Sequence, residues 1–277
     1  MHYVSAGNAD IPTLGVGTFQ MDGGECREAV RTALELGYRH VDTAEYYGNE
    51  AAVGDAIAAS AVDRDDVFVT TKVWRSNLRA DDVRRAARAS LDRLGLDFVD
   101  LLLIHWPHPR VPVEETLGAM AGLRGEGVVE HVGVSNFTRS QLARARRAVD
   151  VPIVADQVEY HPYKDQRELR EYCADNDLAL TAYSPLARGD VLDDPILDGI
   201  GDSYGKSPAQ VALRWLVQQE GVVAIPKARS RDHLEANLDV FDFSLSRAEM
   251  RRIRDRTGSI GRRLRNQLPK LVRSFPL

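Results

Sequence analysis

The chain has 277 residues, 44% of them hydrophobic and 28% charged, the make-up of a globular protein large enough to bury a sizeable core. A formal net charge of −5 gives no electrostatic footing for nucleic acid or an anionic membrane. Cys26 and Cys173 lie far apart and no CxxC or metal-like Cys/His spacing occurs, so no metal is expected and a reducing compartment is the simplest inference.

The first residues, MHYVSAGNADIPTLG, lack a basic-then-apolar signal pattern, and the apolar runs are of strand length, too short to span a bilayer. A cytoplasmic location is therefore expected. Residues 1–13 suit a short hairpin. Strands are then predicted near Leu14–Thr18 and over 38–42, 67–73, 98–105, 128–134, 152–158, 178–183 and 222–225. Several are apolar almost throughout, as strands covered on both faces are. Helical patterns alternate with them. Glu25 to Leu36 is followed by Gly37 as a C-terminal stop. Val83, Ala87, Leu91 and Leu94 share one face of segment 81–94. Ser207-Pro208 places a capping serine and an N1 proline before a helix containing Val211, Trp215 and Leu216. Eight β/α units without a linker or repeat predict an α/β fold of the (β/α)8 TIM-barrel type, one domain over residues 1–277. GVGTF (15–19) lacks the third glycine and immediate helix of a dinucleotide fingerprint.

In such a barrel the active site lies at the carboxyl ends of the strands. Asp42 closes the second predicted strand, Lys72 nearly closes the third and His105 closes the fourth. Ser135 and Asn136 follow the fifth, Gln157 ends the sixth, Tyr183-Ser184 ends the seventh and Lys227 follows the eighth. Any one polar strand end has a structural explanation; Asp, Lys and His on three consecutive strands point to a shared site.

These residues sit within GYRHVDTAEYYGNE (37–50), VTTKVW (69–74), LLLIHWP (101–107), GVSNF (133–137), DQVEYHP (156–162), AYSPL (182–186) and IPK (225–227). Seven such stretches in order, from about Leu14 to Asn237, resemble the motifs of the aldo-keto reductase superfamily. They are most similar to prokaryotic members of the 2,5-diketo-gluconate reductase type. The resemblance implies hydride transfer from NAD(P)H to the carbonyl of an aldehyde, ketone, keto acid or keto sugar. It assigns Tyr47, the tyrosine directly before Gly-Asn-Glu, as proton donor; Tyr46 is then a loop or pocket-wall aromatic. A free phenol has a pKa of about 10, so an adjacent Lys72 ammonium is expected to lower it. Asp42 would hold Lys72, and His105 would orient the carbonyl.

By the same resemblance Ser135, Asn136 and Gln157 clamp the nicotinamide carboxamide, Tyr183 stacks on its ring, and Ser184 and Leu186 line the cofactor's path. Phe19 and Trp106 form pocket walls, and His161 is structural. Lys227 matches the lysine that contacts the 2′-phosphate of NADPH, and Asn237 the residue that reads adenine, on a helix opening at Ser230. Two positions depart from that pattern. Ala228 stands in place of a common serine, and His233 in place of an arginine with a fixed guanidinium fork. Arg229 or Arg231 is then the nearest compensating cation. NADPH is expected, with weakened discrimination against NADH. Short loops after the fourth and seventh strands suggest an open pocket. After Asp255 the chain has basic residues and no acidic ones, among them Arg262, Arg263, Arg265, Lys270 and Arg273. Either a solvated tail or a basic lid favouring anionic or hydroxylated substrates would account for them. A monomer acting on a small molecule is the default. A Schiff-base aldolase using Lys72 and a non-catalytic cofactor-binding subunit are the competing readings.

Overall fold

The computed structural model describes residues 2–256. The basic positions from Arg262 to Arg273 lie outside the described residues. The chain opens with an antiparallel hairpin, β1 (Tyr3–Ala6) and β2 (Ala9–Pro12), where a hairpin is expected. Eight parallel strands follow in one curled sheet, ordered as in the sequence: β3 (Val16–Gly17), β4 (His40–Asp42), β5 (Phe68–Val73), β6 (Val99–Ile104), β7 (Val129–Ser135), β8 (Ile153–Glu159), β9 (Ala179–Tyr183) and β10 (Val222–Ala224). At the sheet's two edges, Leu14 bridges Ala224 in parallel register, and Gly15 N donates to Ala224 O at 2.9 Å.

Helices cover the outer face: α1 (Gly23–Glu35), α2 (Glu50–Ala58), α3 (Ala80–Leu94), α4 (Val113–Gly125), α5 (Arg139–Arg147), α6 (Arg167–Ala174), α7 (Pro195–Gly201), α8 (Pro208–Val217), α9 (Arg231–Leu238) and α10 (Arg247–Arg254). Their starts are written in side-chain caps. Asp22 accepts from Glu25 N, Ser230 caps α9, and Thr138, Ser207 and Ser246 form capping boxes on α5, α8 and α10. The Asp22 cap starts α1 two residues earlier than the hydrophobic period suggests. Val83, Ala87, Leu91 and Leu94 are all buried, as their shared face requires. Gly54 lets α2 approach α3: a Cβ there would lie 1.9 Å from the Leu94 carbonyl oxygen.

Strand alternation divides the core in two. Leu101 and Leu103 join Ile11, Phe68, Ala155, Ala179 and Val223 in an inner cluster, whereas Leu102 and Ile104 join the large cluster between sheet and helices. The inner parity continues along β6 to His105. On β5 it runs from Phe68 through Thr70 to Lys72, and on β8 from Ala155 to Gln157. The inner apolar plug thus gives way to polar residues at the carboxyl ends of the same strands. The connections leading from those ends run through residues 105–112 after β6 and 184–194 after β9.

Candidate active site

Lys72 is the hub of the carboxyl end. Its ammonium lies 2.5 Å from Asp42 Oδ1, donates to Thr43 O at 2.7 Å and reaches Tyr47 Oη at 3.3 Å. Asp42 and Lys72 are buried. The second Asp42 oxygen accepts from Gln157 Nε2 at 2.6 Å, so the carboxylate joins β4, β5 and β8. Tyr47 stands on a single 3-10 turn, Glu45–Tyr47, that ends at Gly48 with φ 67°. The residues after it explain the motif. Gly48 supplies the left-handed turn. Asn49 is buried, accepting from Thr43 Oγ1 and donating to the carbonyls of Thr18 and Met21. Glu50 is buried on Thr71 and Arg93.

The His105 ring lies edge-on to Tyr47, with centroids 5.7 Å apart. Phe19 packs against Tyr47 at 5.0 Å. Tyr46 turns away and stacks on Trp74 at 3.9 Å, in keeping with a wall aromatic. Trp74, 5.0 Å from His105, was not singled out from the sequence. Its position two residues after Lys72, on the same strand parity, is the signal that finds it. Glu45 was also missed: its carboxylate accepts from Trp74 N and from Asn77 Nδ2, tying the tyrosine turn to the loop after β5.

The Lys72 effect on Tyr47 has the expected sign, but the net direction is the opposite one. Burial pushes the Tyr47 phenol above its ordinary pKa; Lys72 opposes this and Asp42 adds to it, so the net direction is up. Desolvation of a phenolate here outweighs one ammonium that is already shared with a carboxylate. The phenol is therefore held protonated. Burial pushes Lys72 down, but Asp42 and Tyr47 more than offset it, and its pKa is raised. A cationic lysine is no nucleophile, which weighs against a Schiff-base reading. Burial, and then Lys72, depress His105 to about 3, making it a neutral imidazole. Its Nδ1 is buried without a hydrogen-bond partner.

The expected carboxamide residues meet beside this cluster. Asn136 Nδ2 donates to His105 O and Ser135 Oγ, both at 3.0 Å, and its Oδ1 accepts from Tyr183 Oη at 2.9 Å. Ser135 Oγ donates to Gln157 O at 2.7 Å. Asn136, Tyr183 and Trp106 border a cleft of about 560 Å³. Six non-glycine residues have a positive φ among the described residues, and five lie in the segments that follow the carboxyl ends of β3, β7 and β9: Gln20, Asn136, Ser184, Ala187 and Arg188. Each such residue costs about 1–3 kcal/mol, and backbone strain of this kind concentrates at binding sites. Leu186 sits within that strained turn, half-buried. Phe19 and Trp106 are both more than two-fifths exposed, as rim residues are. His161 is buried, accepting from Tyr163 N and pairing with Glu159 at 3.8 Å, a structural role.

Beyond β10 the segment at 227–238 is different in kind. Lys227 and His233 are exposed, and Ala228 is buried. Arg229 pairs with Glu25 at 3.2 Å and donates to Gln20 O at 3.0 Å, while Arg231 pairs with Glu35 at 2.8 Å. Asn237 is buried, with the Tyr38 hydroxyl beside its side chain. The donor and acceptor set at Ser135, Asn136 and Gln157 fits a carboxamide, and Lys227 offers an anion an exposed cation. Among the described residues no group of three or more His, Cys, Asp or Glu is placed to hold a metal ion, and no helix is long and apolar enough to cross a membrane.

The parallel α/β sheet thus gathers a buried Asp–Lys pair, a tyrosine and a neutral histidine at its carboxyl end. The profile of the Aldo/keto reductase family matches residues 13–256, and the chain belongs to that family. An aldo-keto reductase of Mycolicibacterium smegmatis is 43% identical over 237 residues, 85% of this chain and 86% of that protein. The 9,11-endoperoxide prostaglandin H2 reductase of Trypanosoma cruzi is 42% identical over 88% of this chain and 87% of its own length. Among solved structures, one named for 2,5-diketo-D-gluconic acid reductase B superposes with a TM-score of 0.91 at 48% identity, covering 93% of this chain and 92% of the other. The thermostable aldo-keto reductase Tm1743, solved with the inhibitor epalrestat, gives 0.87 at 40% identity, covering 92% and 99%. The protein is an NAD(P)H-dependent oxidoreductase that reduces carbonyl groups.

Proposed function

We propose that Tyr47 is the proton donor of this reduction, with Lys72, Asp42 and His105 in the roles the family pattern suggests. The observation that carries this is the Lys72 ammonium placed between Asp42 at 2.5 Å and the Tyr47 hydroxyl at 3.3 Å. When bound, a reduced nicotinamide supplies the hydride. As negative charge develops on the carbonyl oxygen, the Tyr47 hydroxyl protonates it, and the adjacent ammonium stabilises the phenolate left behind. Burial keeps the phenol protonated until that moment. Asp42 fixes Lys72 as a cation. Neutral His105 donates a hydrogen bond to the carbonyl from Nε2, the nitrogen that is not buried without a partner.

Ser135, Asn136 and Gln157 hold the carboxamide, Tyr183 stacks on the nicotinamide, and Ser184 and Leu186 guide the cofactor towards Lys227. Ala228, His233 and Asn237 surround its adenosine end. NADPH is the expected reductant. The loss of an arginine fork at His233 leaves room for NADH. Phe19 and Trp106 wall the substrate, an aldehyde, ketone, keto acid or keto sugar. The eight strands form a closed (β/α)8 barrel, a reading supported by the hydrogen bonds between its first and last strands. A single-domain cytoplasmic monomer, with no nucleic-acid or membrane partner, completes the proposal. Turnover assays with both cofactors across aldehydes, keto acids and keto sugars test it. Nicotinamide oxidation coupled to carbonyl loss is expected. Substrate trapped on Lys72 by borohydride, without nicotinamide oxidation, would favour an aldolase instead.

A further inference from the structure

Three cations follow β10 in quick succession, yet two of them are engaged by carboxylates. Arg229 is held by Glu25 at 3.2 Å and by the Gln20 carbonyl at 3.0 Å. Arg231 is held by Glu35 at 2.8 Å and by Glu235 at 3.7 Å. Glu25 and Glu35 belong to α1, which packs against α9. Glu25 occupies the third position of α1, and its side chain is only partly exposed. Burial and then the neighbouring Arg229 guanidinium lower the Lys227 pKa, and the Glu25 carboxylate opposes them. An incoming dianionic phosphate at Lys227 would therefore find the guanidinium two residues further on already paired with a carboxylate.

We propose that Glu25 is a selectivity residue for the cofactor. By holding Arg229, the cation two residues from Lys227, with a negative charge of its own, it weakens binding of the 2′-phosphorylated dinucleotide relative to the unphosphorylated one. The inference rests on the assignment of Lys227 to the phosphate end. It goes beyond the effect of His233, because it names an acid on a different helix that acts against the phosphate. Removing this acid subtracts a like-charge repulsion and frees a guanidinium that can bind phosphate bidentately. Both groups are partly exposed, so the effect should shrink as salt is added.

The test is equilibrium binding of NADP+ and NAD+ to the full chain, followed by quenching of tryptophan fluorescence, for the wild type, Glu25→Gln and Lys227→Met. Glu25→Gln should tighten NADP+ by about three- to tenfold, with NAD+ unchanged to within about twofold. The gain should fall at high ionic strength. Equal tightening of both dinucleotides, or of neither, overturns the proposal. Lys227→Met should weaken NADP+ selectively. If it does so while Glu25→Gln changes nothing, Glu25 alone is misassigned. Unchanged NADP+ binding in Lys227→Met removes the phosphate from this segment, and the proposal with it.

Discussion

The proposed catalytic end and the proposed phosphate end of the site are built on opposite plans. At the catalytic end, Asp42, Lys72 and Gln157 are buried, with Lys72 and Gln157 each hydrogen-bonded to Asp42. At the phosphate end, Lys227, Arg229 and His233 are exposed, and the pairing of Arg229 is with a partly exposed acid. Buried, mutually satisfied groups are costly to alter, because removing one leaves its partner desolvated and alone. Exposed, screened charges can be exchanged at little cost to the fold. On the proposed roles, the first arrangement would fix the reaction and the second would leave the choice of reductant open to single substitutions.

Four expected outcomes sharpen or break that contrast. The largest is on rate: Tyr47→Phe should lower kcat by about 10²–10⁴-fold in steady-state assays, the usual contribution of a positioned proton donor. Next comes stability. Lys72→Met leaves the Asp42 carboxylate buried without its cation and should cost about 3–5 kcal/mol in denaturant unfolding. A loss below about 1 kcal/mol would mean the pair is not buried as described. Third is pH. The folded-state pKa values of His105, about 3, and His40, about 4, lie below the ordinary 6.5. The unfolded chain therefore takes up protons that the native state refuses as pH falls below 6.5. Stability is present above that value and declines towards pH 4. His105→Asn should flatten this decline between pH 6.5 and 4.5, above the range where a carboxylate such as Glu159 contributes. An unchanged slope would place a proton on the native ring. The smallest effect belongs to the exposed end: His233→Arg should raise the NADP+ to NAD+ affinity ratio by about tenfold, one charge-assisted contact, without changing unfolding stability.

Much of this was legible in the sequence because two periodicities carry it. Short apolar runs alternating with helical patterns located each of the eight sheet strands to within a residue or two, and the polar residues ending those runs are the ones proposed to form the site. Val83, Ala87, Leu91 and Leu94 were readable for the same reason, from a period near 3.6. What escaped depends on contacts across the chain. Glu45 looks like any acidic loop residue until the loop after β5 offers it Trp74 N and Asn77. The direction of the Tyr47 shift could not follow from residue types, since it weighs desolvation against a shared ammonium. The arginines at 229 and 231 looked available because their partners, Glu25 and Glu35, are about two hundred residues earlier in the chain.

The central claim is that Tyr47 protonates the carbonyl oxygen, and single-turnover kinetics test it most directly. Enzyme saturated with NADPH is mixed with a carbonyl substrate, and nicotinamide oxidation is followed for the wild type and Tyr47→Phe. The account predicts that the variant binds NADPH with near wild-type affinity and loses the oxidation step by about 10²-fold or more. Oxidation at the wild-type rate in Tyr47→Phe would contradict it.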